Sequence, residues 1–551
     1  MGYAMLWTES LAATLLLVAT ALAWAAGSER RWWRILASGV AVLLPLTLAA
    51  LITWMAWYVW EVLGIAHGWM GAVASWTALL LIGEATLVYF SQRPVGEPPA
   101  RAARNWPRRK LALAASVALV LGLLTSWTMD TAARTQLASL RAEAGTLALA
   151  ATPPRIAENE NAAPLYHQAF EALLDSNALP PVWQGKSAQW FAGKAVELNC
   201  HDADLVAYLR RQAAGLELLR RAAARPSCAF ERNYGHASMV LPEAARLRGG
   251  ARDLSLEARC KAAKGDAAGA LANVAAILRM ARHTASEPVV IMVLVGASIE
   301  STGMQTLELI LSKTTPTLND LVAVRELATM SYRTAMQRAL QMEEATGLSV
   351  FVATAEGTDF WSLSGFSRGN EVEQALAPFW RLFLLPDDLA GYRERMQYAT
   401  QAMAQPPPQA VQTWKNLDET WRRDRGGFLT AALTANLLRL GETAPRADAY
   451  RRLTQLAVAV AEYRAREGKY PTQLDELVPS CLPFVPIDPY TGQPLKLVIR
   501  EGGLVLYSVG PDLKDDGGTQ ADLTHHRPQV DITLRIGKDV QPPPPLMPPA
   551  Y

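Results

Sequence analysis

Four long apolar stretches before residue 130 constrain this chain more than any other feature. Ser10 to Ser28 runs for nineteen residues without a charge, and Ile35 to Trp60 is a second charge-free run. Trp69 to Phe90 and Leu111 to Met129 follow. A helix of about 20 apolar residues crosses a hydrocarbon core of about 30 Å, so the reading is four spans, at about 10–28, 35–60, 69–90 and 111–129. The rival for the first is a cleavable signal peptide ending at Ala23-Trp24-Ala25, but the segment before it lacks Lys and Arg.

The charges around these stretches orient them. The nine basic residues of positions 1 to 110 fall in two loops: Arg30, Arg31 and Arg34, then Arg93, Arg101, Arg104, Arg108, Arg109 and Lys110. Basic loops stay on the cytoplasmic side, which predicts that the N-terminus and everything after Met129 face outward. Trp54, Trp57, Tyr58, Trp60 and Trp69 cluster at the outer ends of spans two and three, as headgroup-seeking aromatic rings do. Glu84 is the carboxylate well inside a span. It reads as a protonated group bonded to a neighbouring helix, with a proton or ion relay as the alternative. A charged fraction of 19%, against about 25% for soluble proteins, agrees with a membrane part. A net charge of +2 gives no field for gathering nucleic acid.

Residues 131–440 read as an extracytoplasmic, irregular α-helical domain. Thr131 to Ala151 is a helix leaving the membrane, ended by Pro153-Pro154. Leu205, Leu209, Leu216 and Leu219 mark one later helix, and Leu271, Val274 and Leu278 another. Lys264-Gly265-Asp266 turns between two helices, and the segment 259–271 resembles one tetratricopeptide-type hairpin, without a regular 34-residue period. Val289 to Val295, after Pro288, is too short to span a bilayer and reads as the buried centre of the stack. Gly347 to Gly369, with Phe360, Trp361 and Phe366, reads as a long surface loop suited to a partner or the bilayer surface.

Catalytic motifs are scarce. His-Glu-x-x-His is absent, and Gly185-Lys186-Ser187 lacks the first glycine of a phosphate loop, because Pro180 stands there. Gly365-Phe366-Ser367-Arg368-Gly369 has the spacing of a nucleophile elbow but no strand before it. His201, Asp202 and Asp204 form a polar cluster that reads as a helix cap rather than a metal site, and His525-His526 points to opposite faces on an extended chain. All four cysteines lie after residue 130, where an outward compartment permits disulfides, and they allow three complete pairings. Cys200 and Cys228 flank one helix from about Asp204 to Ala224, which predicts a disulfide between them.

After Pro445 the pattern becomes helix, loop, hairpin, acidic loop. Tyr450, Leu453, Leu456, Val460 and Tyr463 make one helical stripe, stopped by Gly468 and Pro471. Strands are expected around Leu495 to Ile499 and Gly503 to Ser508. Asp512, Asp515, Asp516 and Asp522 then place four carboxylates within eleven residues, and such hard oxygen ligands suit calcium. Asp488-Pro489-Tyr490-Thr491-Gly492, Ser508 to Asp512 and Ala521 to Leu523 resemble motifs of the globular domain of type II secretion major pseudopilins. The resemblance covers about 445–538 and implies that domain's α+β fold, a calcium loop centred on Asp512 and Asp522, and a bacterial envelope. A pseudopilin starts with a prepilin leader and one apolar helix, whereas this module follows four spans.

The expected whole is mainly α: a transmembrane domain at 1–130, the helical domain at 131–440, the pseudopilin-like module at 445–538 and a Pro-rich tail at 539–551. The expected function is a bacterial inner-membrane scaffold or interaction subunit with its bulk on the extracytoplasmic side, meeting the bilayer and other envelope proteins. The alternative is an enzyme whose active site, in the helical domain, follows no motif. An ion or proton carrier using Glu84 comes third.

Overall fold

A computed structural model of the chain describes residues 131, 134–174, 183–184, 199–236, 241–325, 332–356, 384–424, 426–435, 437–500, 502–518 and 531–537. The four expected spans with Glu84, the Gly365 to Gly369 motif, Asp522, His525-His526 and the tail lie outside the described residues. What is described is mainly helix with one three-stranded sheet.

The helices are α1 (134–151), α2 (Ala163–Ala172), α3 (Ala203–Ala223), α4 (Glu243–Ala263), α5 (Ala267–Ser286), α6 (Val290–Lys313), α7 (Leu318–Arg325), α8 (Tyr332–Ala355), α9 (Leu385–Ala404), α10 (Pro407–Arg423), α11 (Phe428–Thr434) and α12 (Leu437–Glu467). The strands are β1 (Lys496–Arg500), β2 (Gly503–Ser508) and β3 (Ile532–Gly537). Helix α8 carries residues 347–355, the start of the stretch expected to be a loop from Gly347, and residues 357–369 lie outside the described residues. Buried Leu348, Phe351 and Val352 in that stretch hold a helical face.

The chain divides into two compact units. In the first, among the described residues, Asp388 accepts the backbone N–H groups of Leu429 (3.0 Å) and Thr430 (2.9 Å), giving α11 a carboxylate at its N-terminal end. Phe351 and Tyr392 meet with ring centroids 5.3 Å apart, and Arg141 pairs with Glu356 at 2.6 Å.

The second unit is built around α6. The α4–α5 hairpin turns where expected: Gly265 has φ +82°, a left-handed conformation that costs a glycine little, and the Asp266 carboxylate accepts the Gly269 N–H at 2.8 Å to start α5. Gly296 lets α6 approach α5 closely, since a Cβ there would stand 2.8 Å from the Ala281 carbonyl oxygen. Packed against α6 are α4, α5, α12 and β3. By length and composition α6 is the one helix among the described residues that could cross a membrane, yet 78% of its most apolar window is buried inside this unit. A helix apolar on every side is what the centre of a helical body requires.

The sheet is antiparallel in the order β1-β2-β3, with Leu497 opposite Leu506 and Leu506 opposite Leu534. Leu504, Leu506, Leu534 and Ile536 share one continuous core with Leu307 and Ile310 of α6 and Leu453 and Leu456 of α12. Pro445, the expected start of the C-terminal module, lies inside α12. The helix therefore carries through the expected boundary, and the sheet is a layer of the helical body.

Candidate functional site

A cavity of about 160 Å³ opens in the second unit where five stretches of chain meet. Helix α5 contributes Leu278 and Arg282, α6 contributes Glu300, and α7 contributes Val324 and Arg325. Helix α12 supplies a polar face of Arg451, Thr454, Gln455 and Glu462 together with Val458 and Ala459, and the following loop supplies Cys481, Leu482 and Pro483. The spacing of Arg451, Gln455, Val458 and Glu462 at three and four residues puts them on one side of α12.

Its charges are unevenly matched. Glu462 accepts from both Arg325 and Arg466, so one carboxylate serves two guanidinium groups. Arg451 stands 3.8 Å from Asp448. Glu300 accepts the Tyr332 hydroxyl at 2.7 Å, and burial pushes its carboxyl up to about 7. Arg282 makes no hydrogen bond or ion pair among the described residues. The cleft thus combines surplus positive charge with an apolar wall.

The C-terminal turns are organised by a different residue. Asp488, 1% exposed, accepts the Tyr490 N–H and the Ser508 hydroxyl on Oδ1 and the Val509 N–H on Oδ2, each at 2.8 Å. It thereby clasps the Asp-Pro turn to the end of β2.

The three described members of the expected calcium set do not converge. Asp515 is held by Lys496, by the Tyr507 hydroxyl (3.1 Å) and by the Gly517 N–H (3.0 Å), and its carboxyl is lowered first by the lysine. Asp512 accepts the Lys514 N–H of its own turn at 3.2 Å. Asp516 donates its N–H to Asp531, which also accepts the Gly518 N–H at 2.7 Å and is pushed up to about 6 by burial. Among the described residues no three His, Cys, Asp or Glu side chains form a metal-holding group. A lysine thus pairs with one of the three described carboxylates, and Asp522, the fourth expected ligand, lies outside the described residues.

Asp202 caps α3 by accepting the N–H groups of Asp204 (3.0 Å) and Leu205 (3.1 Å), as the polar cluster beside His201 predicts. The cysteine pairing differs from expectation. All four thiols are free, and the Cys200 thiol is hydrogen-bonded to that of Cys260 in α4, in a small cluster with Trp183, Leu205 and Tyr208. Cys228 belongs to a separate cluster with Phe230 and Tyr166. Flanking one helix placed Cys200 and Cys228 at its opposite ends, and the twenty-one residues of α3 keep those ends apart. The contact with Cys260 lowers the Cys200 thiol to about 7, and the same contact raises Cys260.

No family model, curated protein or solved structure matches the chain. Function therefore rests on the residues themselves.

Proposed function

We propose that this protein is a membrane-anchored scaffold or interaction subunit of a bacterial envelope complex, with residues beyond 130 on the extracytoplasmic side. The supporting observation is the outer strand of the sheet. Among the described residues, strand β1 pairs on one side only, with β2, and Ile499 is 58% exposed. Such an edge suits a partner chain that adds its own backbone to the sheet, and β2 joins it to the helical core. Phe484, 65% exposed in the loop before the sheet, adds apolar surface. The four apolar stretches before residue 130 supply the anchor, and their basic loops the orientation.

The test places a photo-crosslinking side chain at Ile499 in the full chain within native membranes, with a matched probe at Leu149 of α1, which is also exposed. The reading expects one discrete adduct with another envelope protein from position 499 and none from 149. Equal or absent adducts would sink it. An impermeant thiol reagent should label cysteines introduced beyond residue 140 in spheroplasts and leave those near residue 100 protected; the reverse pattern overturns the orientation.

A further inference from the structure

We propose that the cleft lined by Arg282, Arg325, Arg451 and Gln455 binds a small, singly charged organic anion: a carboxylate head on a short apolar body. The site is independent of the partner surface proposed above and needs no membrane orientation.

Charge sets the sign of the ligand. Glu462 is shared between Arg325 and Arg466, Asp448 faces Arg451, and Arg282 reaches the cleft with no hydrogen bond or ion pair among the described residues. A guanidinium presents two parallel N–H donors that match the two oxygens of a carboxylate, and that pairing is among the stronger hydrogen-bonded contacts in proteins. Gln455 adds an amide that makes no hydrogen bond among the described residues.

Shape and the remaining charges set the class. Leu278, Val324, Val458 and Leu482 also line the cleft, and their side chains have nothing to offer a fully hydrated ion but favour a few carbon atoms. A volume of about 160 Å³ lies below the roughly 300–1,000 Å³ of sites for drug-sized molecules, so the body is short. Glu462 also lines the cleft, and it would repel a second or third negative charge on the ligand. Phosphate and polycarboxylates are disfavoured on that ground.

The experiment uses the full chain in mild detergent, with butyrate as the probe and butyramide, citrate and inorganic phosphate beside it. Titration calorimetry and thermal melting should show saturable binding of butyrate with a rise in melting temperature, and little or no response to the other three. Arg282→Gln should weaken butyrate by about tenfold or more. Its ligand-free melting temperature should stay near that of the parent, because Arg282 makes no hydrogen bond or ion pair among the described residues. Arg282→Lys, which keeps the charge and loses the fork, should fall between. An equal response to butyramide would mean an apolar cavity alone, and tighter binding of phosphate would mean an inorganic-anion site. Either result overturns the proposal, as does an absence of butyrate binding or undiminished affinity in Arg282→Gln.

Discussion

Two buried carboxylates, Asp488 in the C-terminal turns and Glu308 on α6, are almost equally sealed from water, at 1% and 4% exposure. Their surroundings differ completely. Asp488 receives three donors, two of them backbone N–H groups that no helix or strand has claimed. Glu308 receives one, the Arg535 N–H of β3 at 3.0 Å, and its Oε2 has no hydrogen-bond partner. The cause is the elements themselves. A helix face has already spent its own N–H groups on the next turn, so a carboxylate there must find donors on a neighbour, whereas a loop has donors to give. Burial accordingly pushes the Glu308 carboxyl up to about 8.

Removing the better-supplied group should do the greater damage. Asp488→Ala strands three buried donors and is expected to cost on the order of 3–5 kcal/mol in denaturant unfolding, with Asp488→Asn costing less because Oδ1 and its two bonds survive. A loss under about 1 kcal/mol for the alanine variant would show that the clasp is ornamental.

At Glu308 the opposite sign is expected. The folded carboxyl titrates at about 8 against 4.5 for the ordinary group, so the folded state holds a proton that the unfolded chain has released between those values. Stability contributed at this site is unaffected below about pH 4.5, falls as pH rises toward 8, and stays at its minimum above. Glu308→Gln keeps the acceptor for Arg535 without the ionisation, and should stabilise the protein at pH 9 by on the order of 2 kcal/mol relative to the parent, with little benefit at pH 5. A benefit independent of pH would assign the effect to packing.

Thiol reactivity sharpens the contrast between helical body and terminal loops by smaller steps. Cys481, half-buried in the loop after α12, should alkylate first in the folded protein, with Cys200, Cys228 and Cys260 protected until it opens. Mass spectrometry of timed alkylation reads the order directly, and early labelling of Cys228 would contradict its burial. The smallest effect belongs to the Lys496–Asp515 pair. Both side chains are about 40% exposed, so Lys496→Ala should cost less than about 1 kcal/mol and lose even that in high salt.

Local signals carried much of this structure. The Lys264-Gly265-Asp266 turn, the Asp202 cap, the end of α12 before Gly468 and the β1-β2 hairpin all depend on a few neighbouring residues, and all were legible. Strand β3 was missed although Ile532, Leu534 and Ile536 alternate with Thr533 and Arg535, a short period-two pattern hidden beyond the acidic loop. The continuity of α12 through Pro445 was not legible, because a proline inside a helix is read as punctuation unless tertiary packing is known to compensate. The cleft had no sequence signature, since Arg282, Arg325 and Arg451 are spread over 170 positions and only the packing of α5, α7 and α12 brings them together. Cys200 and Cys260 met for the same reason, through the packing of α3 on α4.

The seating of β3 on α6 has a consequence for the order in which the chain is made. Ribosomes extend a chain at about 5–20 residues per second, so Ile532 emerges roughly 10–40 s after Lys313. Throughout that interval Leu307, Ile310 and the Glu308 carboxyl lack the strand that finally covers them. The most apolar described helix is therefore also one whose last cover arrives late, and any truncation before residue 532 leaves it a sticky, permanently unfinished surface.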